Sequence, residues 1–363
     1  MKIKNSPRFA ATCFAALAGV AAVAGPALAQ DSTEIDDVPP VSDAPDGQDS
    51  VSRGVQGPAG MFSARVLLGV NLSSDLAGEP VSIPSTYNDR TRMVYQAARC
   101  GLRDFFVKNG YKKACIGLSG GIDSAVVACL AADALGRQNI RALLLPSQFS
   151  SDHSVEDAKK LAENLGIEYN VIPITEIYTS VVNTLKPVIG GREFDATEEN
   201  IQTRIRTVLL MAVQNKADYI LLNSSNKSEN ALGLCTLYGD TAGAFSPTGD
   251  LYKSEMYDLA RYINRTQGDP IPGNILDKEP SSELHPGQKD SDILPPYEVV
   301  DAILYRMIEE GQHREEIVNA GFDSEVVEKI HGMIMRNEKK RYQFPPVLRL
   351  SSCTFGHERL MPL

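Results

Sequence analysis

The sequence predicts an α/β fold: a doubly wound parallel sheet with helices on both faces, followed by a helical C-terminal segment. Three observations predict it. Short apolar runs recur through the middle of the chain at Ala114–Leu118, Arg141–Leu145, Tyr169–Ile172 and Tyr219–Leu222. Segments with apolar residues at helical spacing stand between them. Beyond Pro295 the pattern is mainly helical, with turns near Gly311 and Gly321. Strands alternating with amphipathic helices make a parallel sheet covered on both sides. Ligands in such folds bind beyond the carboxyl ends of the strands.

The elements follow in order. Thr91 to Asn109 places Val94, Ala97, Ala98, Leu102, Phe105 and Phe106 at helical spacing and stops at Asn109-Gly110. The strand Ala114–Leu118 then leads through a glycine turn into a helix over Ile122–Leu135. The strand Arg141–Leu145 precedes a helix of about Ser154–Leu165, and Tyr169–Ile172 one around Ile177–Leu185. A long helix at about Thr197–Asn215 comes before the strand Tyr219–Leu222.

The N-terminal part reads differently. Lys2, Lys4 and Arg8 precede an alanine-rich run from Phe9 to Val23, and Ala27-Leu28-Ala29 has the form of a cleavage site. Residues 1–29 therefore have the form of a secretory signal peptide. Residues 30–60, rich in Asp, Ser, Pro and Gly, read as a disordered acidic linker. Residues 61–91 form an arm with one apolar stretch, Ala64–Val70, and no catalytic signal.

A length of 363 residues suits one or two domains, and 43% apolar with 23% charged residues is ordinary for a soluble chain. The net charge of −10 argues against a general nucleic-acid binder. Seven acids and no Lys or Arg lie within residues 31–52, so a local basic site elsewhere remains compatible with that balance. The six cysteines form no CxxC pair and no zinc or disulfide spacing. Cys115 and Cys129 fall on apolar stretches, where a free thiol behaves as a small hydrophobe.

The chemistry concentrates at Leu118-Ser119-Gly120-Gly121-Ile122-Asp123-Ser124, where the first strand of the sheet turns into a helix. Gly120 and Gly121 let backbone amides approach an anion, and the helix N-terminus adds partial positive charge. Ser119 and Ser124 offer hydroxyls. Asp123 repels phosphate unless a divalent cation stands between them, so a carboxylate here implies Mg²⁺. The loop is not a Walker A sequence, which needs GxxxxGK[ST].

The pattern SGGxDS resembles the pyrophosphate-binding loop of the ATP pyrophosphatase superfamily, whose members cleave ATP to AMP and pyrophosphate. Glu199–Arg204, Ser225–Glu229, Cys235–Asp240, Pro280–Leu284 with Leu294–Tyr297, and the late run Lys339–Arg341 together look like NAD synthetase. The resemblance is to the synthetase domain of the glutamine-dependent type, over residues 92–363. It implies an adenine nucleotide alpha hydrolase-like, Rossmann-like fold and a homodimer.

Carried over by position, the resemblance gives the ATP phosphates to Gly117, Leu118, Ser119, Gly120, Gly121, Ile122, Asp123 and Ser124. Lys253 and Ser281 fall at ATP-contacting positions. Ser224 does too, where the family usually has Thr. Asn200, Arg204, Glu229 and Lys340 fall at positions that contact deamido-NAD, and Asp123 with Glu229 at those that hold Mg²⁺. Asn200 and Arg204 are four apart on one helix, hence on one face. Asp152 and His153, beside the second strand's end, are read as loop and helix-cap residues.

The implied reaction is ATP-dependent amidation of deamido-NAD through an adenylate, with ammonia displacing AMP and no residue acting as a covalent nucleophile. Relatives of this type carry an N-terminal glutaminase domain. The stretch before residue 92 is too short for one, so the expectation is free ammonia or ammonia from a separate protein. The alternatives are an exported non-catalytic nucleotide-binding protein that retains the fold, and a superfamily relative such as GMP synthetase. The NKSE and TLYGD blocks disfavour the latter. Unpaired thiols and intact chemistry point to the cytoplasm, residues 1–29 to export; the expectation leans to the cytoplasm.

Overall fold

The computed structural model describes residues 87–356. The expected signal segment 1–29, the linker 30–60 and the arm up to residue 86 lie outside the described residues.

Four strands, β1 (Ala114–Gly117), β2 (Ile140–Leu144), β3 (Glu168–Val171) and β4 (Ile220–Leu221), form one parallel sheet in the order β3-β2-β1-β4. The chain winds outward from β1 to β3, then returns to the other side of β1. That reversal opens a crevice beyond the carboxyl ends of β1 and β4.

Around the sheet run α1 (Tyr87–Asn109), α2 (Ile122–Leu135), α3 (Asp152–Leu165), α4 (Thr175–Ile189), α5 (Ala196–Ala217), α6 (Lys227–Leu232), α7 (Lys253–Gln267) and α8 (Gly273–Asp277). The C-terminal helices are α9 (Tyr297–Ile308), α10 (Arg314–Asn319), α11 (Ser324–Arg336) and α12 (Glu338–Arg341).

Alternation along the strands divides the core. Ala114, Ile116, Ile140, Ala142 and Leu144 pack with α1, α2, α3 and α7 on one face. Cys115 and Leu143 pack on the other, against α5 and, for Leu143, α4 as well. Both faces are covered, which is why the strands read as unbroken apolar runs rather than alternating ones. A fully buried Leu or Ile, such as Leu102 or Leu161, contributes about 1.5–3 kcal/mol. A separate apolar cluster from α6, α9, α10 and α11 forms the helical C-terminal region.

The predicted elements all occur; the helix Ile122–Leu135 has the expected bounds, and the others differ at one end or both. The first helix begins at Tyr87, ahead of the expected Thr91. Ser151 caps α3, its hydroxyl accepting from the Ser154 amide at 3.2 Å. The capping role expected of Asp152 and His153 therefore falls to their neighbour, and both sit exposed in the first turn. Asp195 and Glu198 form a capping box that starts α5. Helix α7 is not among the predicted elements, although Met256, Leu259, Ala260 and Ile263 fall at helical spacing and are buried.

Candidate functional site

The turn from β1 into α2 is closed by its own hydroxyls. Ser119 Oγ accepts from the Gly121 amide at 3.2 Å, and Ser124 Oγ donates to the Gly121 carbonyl at 3.0 Å. The two hydroxyl oxygens lie 3.1 Å apart. Both serines thus shape the loop. Gly120 has φ +80°, and a Cβ there would meet the Ser154 carbonyl oxygen at 2.2 Å, so only glycine fits. Gly121 starts α2 without a side-chain cap, which leaves the first amides of the helix facing the crevice.

Lys253, at the start of α7, joins two carboxylates. Its Nζ lies 2.6 Å from Asp123 Oδ2 and 3.3 Å from Glu229 Oε1. Burial opposes the Lys253 charge, but Asp123 and Glu229 outweigh it and raise the ammonium's pKa above its usual value. Burial pushes the Glu229 carboxyl up to about 8; Lys253 counteracts this, while the charges of Asp123 and Asp290 add to it. The second oxygen of Asp123 accepts from Asn226 Nδ2 at 2.9 Å.

These residues suit a divalent cation. Among the described residues no cluster of three or more His, Cys, Asp or Glu side chains forms a closed metal site. Two adjacent carboxylates completed by phosphate oxygens and water are what Mg²⁺ commonly takes. The raised Glu229 carboxyl also marks a place where more positive charge is favourable.

A cavity of about 300 Å³ opens beside this group. Gly117, Leu118, Ser119, Gly121, Ile122, Asp123 and Ser124 line it, as do Ser224, Glu229, Lys253 and Ser281; Gly120 stands behind the wall, against Ser154. Two cations on the wall escaped the sequence reading. Arg206 donates its Nε–H to the Leu145 carbonyl at 3.0 Å, and burial lowers its pKa to about 10. Lys278 donates to Ser154 Oγ at 2.8 Å and is likewise lowered by burial. Arg206 lies two residues from Arg204, and nothing in one sequence distinguishes which of the two points inward.

Asn200, Arg204 and Lys340 come together elsewhere, on the loop Gly233–Asp240. Asn200 Oδ1 accepts from Thr236 Oγ at 2.6 Å, and Arg204 Nε donates to the Leu237 carbonyl at 3.1 Å. Lys340 Nζ donates to the carbonyls of Gly233 and Cys235 at 2.6 and 2.8 Å. These side chains hold a loop whose Leu234, Cys235, Gly239 and Asp240 line the cavity, without lining it themselves. On that loop Tyr238 has φ +61° and is 67% exposed.

The family model described as NAD synthase matches residues 94–344. A glutamine-dependent NAD(+) synthetase from Aquifex aeolicus is 50% identical over 270 residues, 74% of this chain and 47% of that protein. The chain spans about half the length of the curated relatives it matches. Among solved structures, an NMN synthetase from Francisella tularensis is 30% identical at TM-score 0.60, covering 69% of this chain and 95% of that one. An NH3-dependent NAD synthetase from Campylobacter jejuni in complex with nitrate is 29% identical at TM-score 0.56, with the same coverage.

Proposed function

The chain belongs to the NAD synthase family, and from that membership we propose that it amidates deamido-NAD to NAD, cleaving ATP to AMP and pyrophosphate. One observation carries the reading. A cavity at the reversal of strand order holds a glycine turn, an open helix N-terminus, two carboxylates and three cations.

The nicotinate carboxylate is a poor acyl donor because its leaving group is oxide. Its oxygen attacks the α-phosphorus of ATP, pyrophosphate departs, and a mixed anhydride with AMP results. Ammonia attacks the activated carbonyl, loses a proton, and AMP leaves with the original carboxylate oxygen. The amides of the Ser119–Ser124 turn hold the departing pyrophosphate, and Lys253, Arg206 and Lys278 offset the charge that builds on it. Asp123 and Glu229 would hold Mg²⁺, which would supply Lewis-acid neutralisation of negative charge. Asn200, Arg204 and Lys340 fix the loop between the nucleotide cavity and the second substrate. No covalent nucleophile is required; placement and charge carry the step.

Ammonia reaches the site free or from a separate protein, and the chain works as a homodimer in the cytoplasm. Deamido-NAD has one competitor as the substrate. The likeness to an NMN synthetase favours a second reading, in which the corresponding mononucleotide acid is amidated. Purified protein is incubated with ATP, Mg²⁺, ammonium and either deamido-NAD or nicotinate mononucleotide, and products are separated by chromatography. Higher kcat/KM for the dinucleotide supports the first reading; a preference for the mononucleotide replaces it with the second.

A further inference from the structure

Resting on that reading, we propose that Asn226 is a positioning residue that sets the spacing of the two metal-holding carboxylates, Asp123 and Glu229. Asn226 precedes α6 and is fully buried. Its Oδ1 accepts from the Glu229 amide at 2.9 Å, an N-cap bond. That bond fixes the orientation of the side-chain amide. Nδ2 is then the arm that faces Asp123, and it donates to Oδ1 at 2.9 Å. One planar amide therefore holds the backbone that carries one carboxylate and the side chain that carries the other.

Capping alone does not explain an asparagine here, since Ser and Asp cap about as well. Aspartate would place a third negative charge against Asp123, and serine is too short to reach it while capping. What asparagine adds is a donor. It ties down one Asp123 oxygen and leaves the other, now paired with Lys253, for a cation. When a phosphate draws the Lys253 ammonium away, the Asn226 bond keeps Asp123 in place.

The residues that follow fix Asn226 itself. The Lys227 amide donates to the Leu251 carbonyl at 2.7 Å, and its ammonium, fully buried, pairs with Asp250 at 3.0 Å and with Glu309. Ser228 Oγ donates to Asp301 Oδ1 at 2.5 Å and accepts from the Lys253 amide at 2.9 Å. Three consecutive side chains, those of Asn226, Lys227 and Ser228, thus tie the turn that carries Glu229 to Asp123, to the start of α7 and to the body of the fold.

The test measures Mn²⁺, in place of Mg²⁺, on the full chain with α,β-methylene-ATP, counting free Mn²⁺ by electron paramagnetic resonance. Removing a partner that orients a metal ligand weakens binding about 10–100-fold, and Asn226→Ser is expected to do so. Its melting midpoint in EDTA should stay near that of the unsubstituted protein, because serine keeps the cap. Mn²⁺ affinity within twofold of the unsubstituted protein overturns the proposal. Asn226→Thr, which also caps, serves if the serine variant does not fold; failure of both to fold makes Asn226 structural and overturns it too. An unsubstituted protein that binds no Mn²⁺ with the analogue overturns the metal assignment and this inference together.

Discussion

Lys253 Nζ donates to Asp123 Oδ2 at 2.6 Å, across 130 positions of sequence, and the two side chains are only 5% and 16% exposed. The pair brings the N-terminus of α7 to the N-terminus of α2 and forms part of the cavity wall. Burial leaves Lys253 little water to replace its partner. Removing Asp123 leaves the ammonium with Glu229 as its one carboxylate, 3.3 Å away, and deletes one of the two proposed metal ligands.

Asp123→Ala should therefore abolish turnover and lower stability by about 1–3 kcal/mol, the cost of leaving a largely buried donor short of one partner. Asp123→Asn keeps the shape and should lose turnover with a smaller stability cost. Steady-state assays and urea denaturation measure both. Unchanged activity in either variant would remove Asp123 from the metal site.

Gly120→Ala should damage the phosphate turn. Its φ of +80° and the Ser154 oxygen, 2.2 Å from the added Cβ, act together. The conformation alone costs about 1–2 kcal/mol, and the clash with backbone adds to it. Gly191→Ala is the control, with φ +84° and nothing within 4 Å of the added atom. The first variant should lose affinity for α,β-methylene-ATP and melt well below the second. Equal melting curves would contradict the geometry.

The pH dependence follows from Glu229. Burial raises its carboxyl to about 8, so the folded chain binds this proton more tightly than the unfolded chain does. Its contribution to stability is present below the ordinary carboxylate pKa and is lost as pH rises through about 8. Nucleotide-free protein should lose stability across that window, and Glu229→Gln should flatten the loss. Urea denaturation at a series of pH values measures it. A stability curve in the Gln variant that falls as steeply as before would refute the assignment.

Thiol chemistry gives an independent check on the core. Cys115 and Cys129 are buried on opposite sides of the fold, and burial pushes the Cys115 thiol up to about 12. Cys100 is exposed on α1. At mildly alkaline pH an alkylating reagent should label Cys100 in native protein, and Cys115 and Cys129 only in denaturant. Peptide mass spectrometry reads the sites. Native labelling of Cys115 would contradict the sheet's second face.

What was legible in the sequence was local. The apolar runs at β1 and β2 and the turn Ser119–Ser124 are contiguous, so period and residue type suffice to place them. Asn200 and Arg204 could be put on one face because a helix repeats. The rest depends on juxtaposition. Lys278 and Arg206 join the cavity only because the end of α8 and the middle of α5 flank the same crevice. Asn226 looks like any helix cap until α2 brings Asp123 to its other arm. That Arg204 and Lys340 grip the backbone of one loop is likewise a consequence of α5 and α12 both meeting that loop, which no spacing announces.

In the proposed reaction the acceptor's carboxylate attacks the α-phosphorus of ATP. Deamido-NAD carrying ¹⁸O in both oxygens of its nicotinate carboxylate is incubated with the protein, ATP, Mg²⁺ and ammonium, and the AMP is weighed by mass spectrometry. One ¹⁸O atom in AMP, none in pyrophosphate, and one retained in the amide of an equal amount of NAD is the result predicted here. Label in inorganic phosphate alongside ADP, or NAD formed with unlabelled AMP, would contradict it.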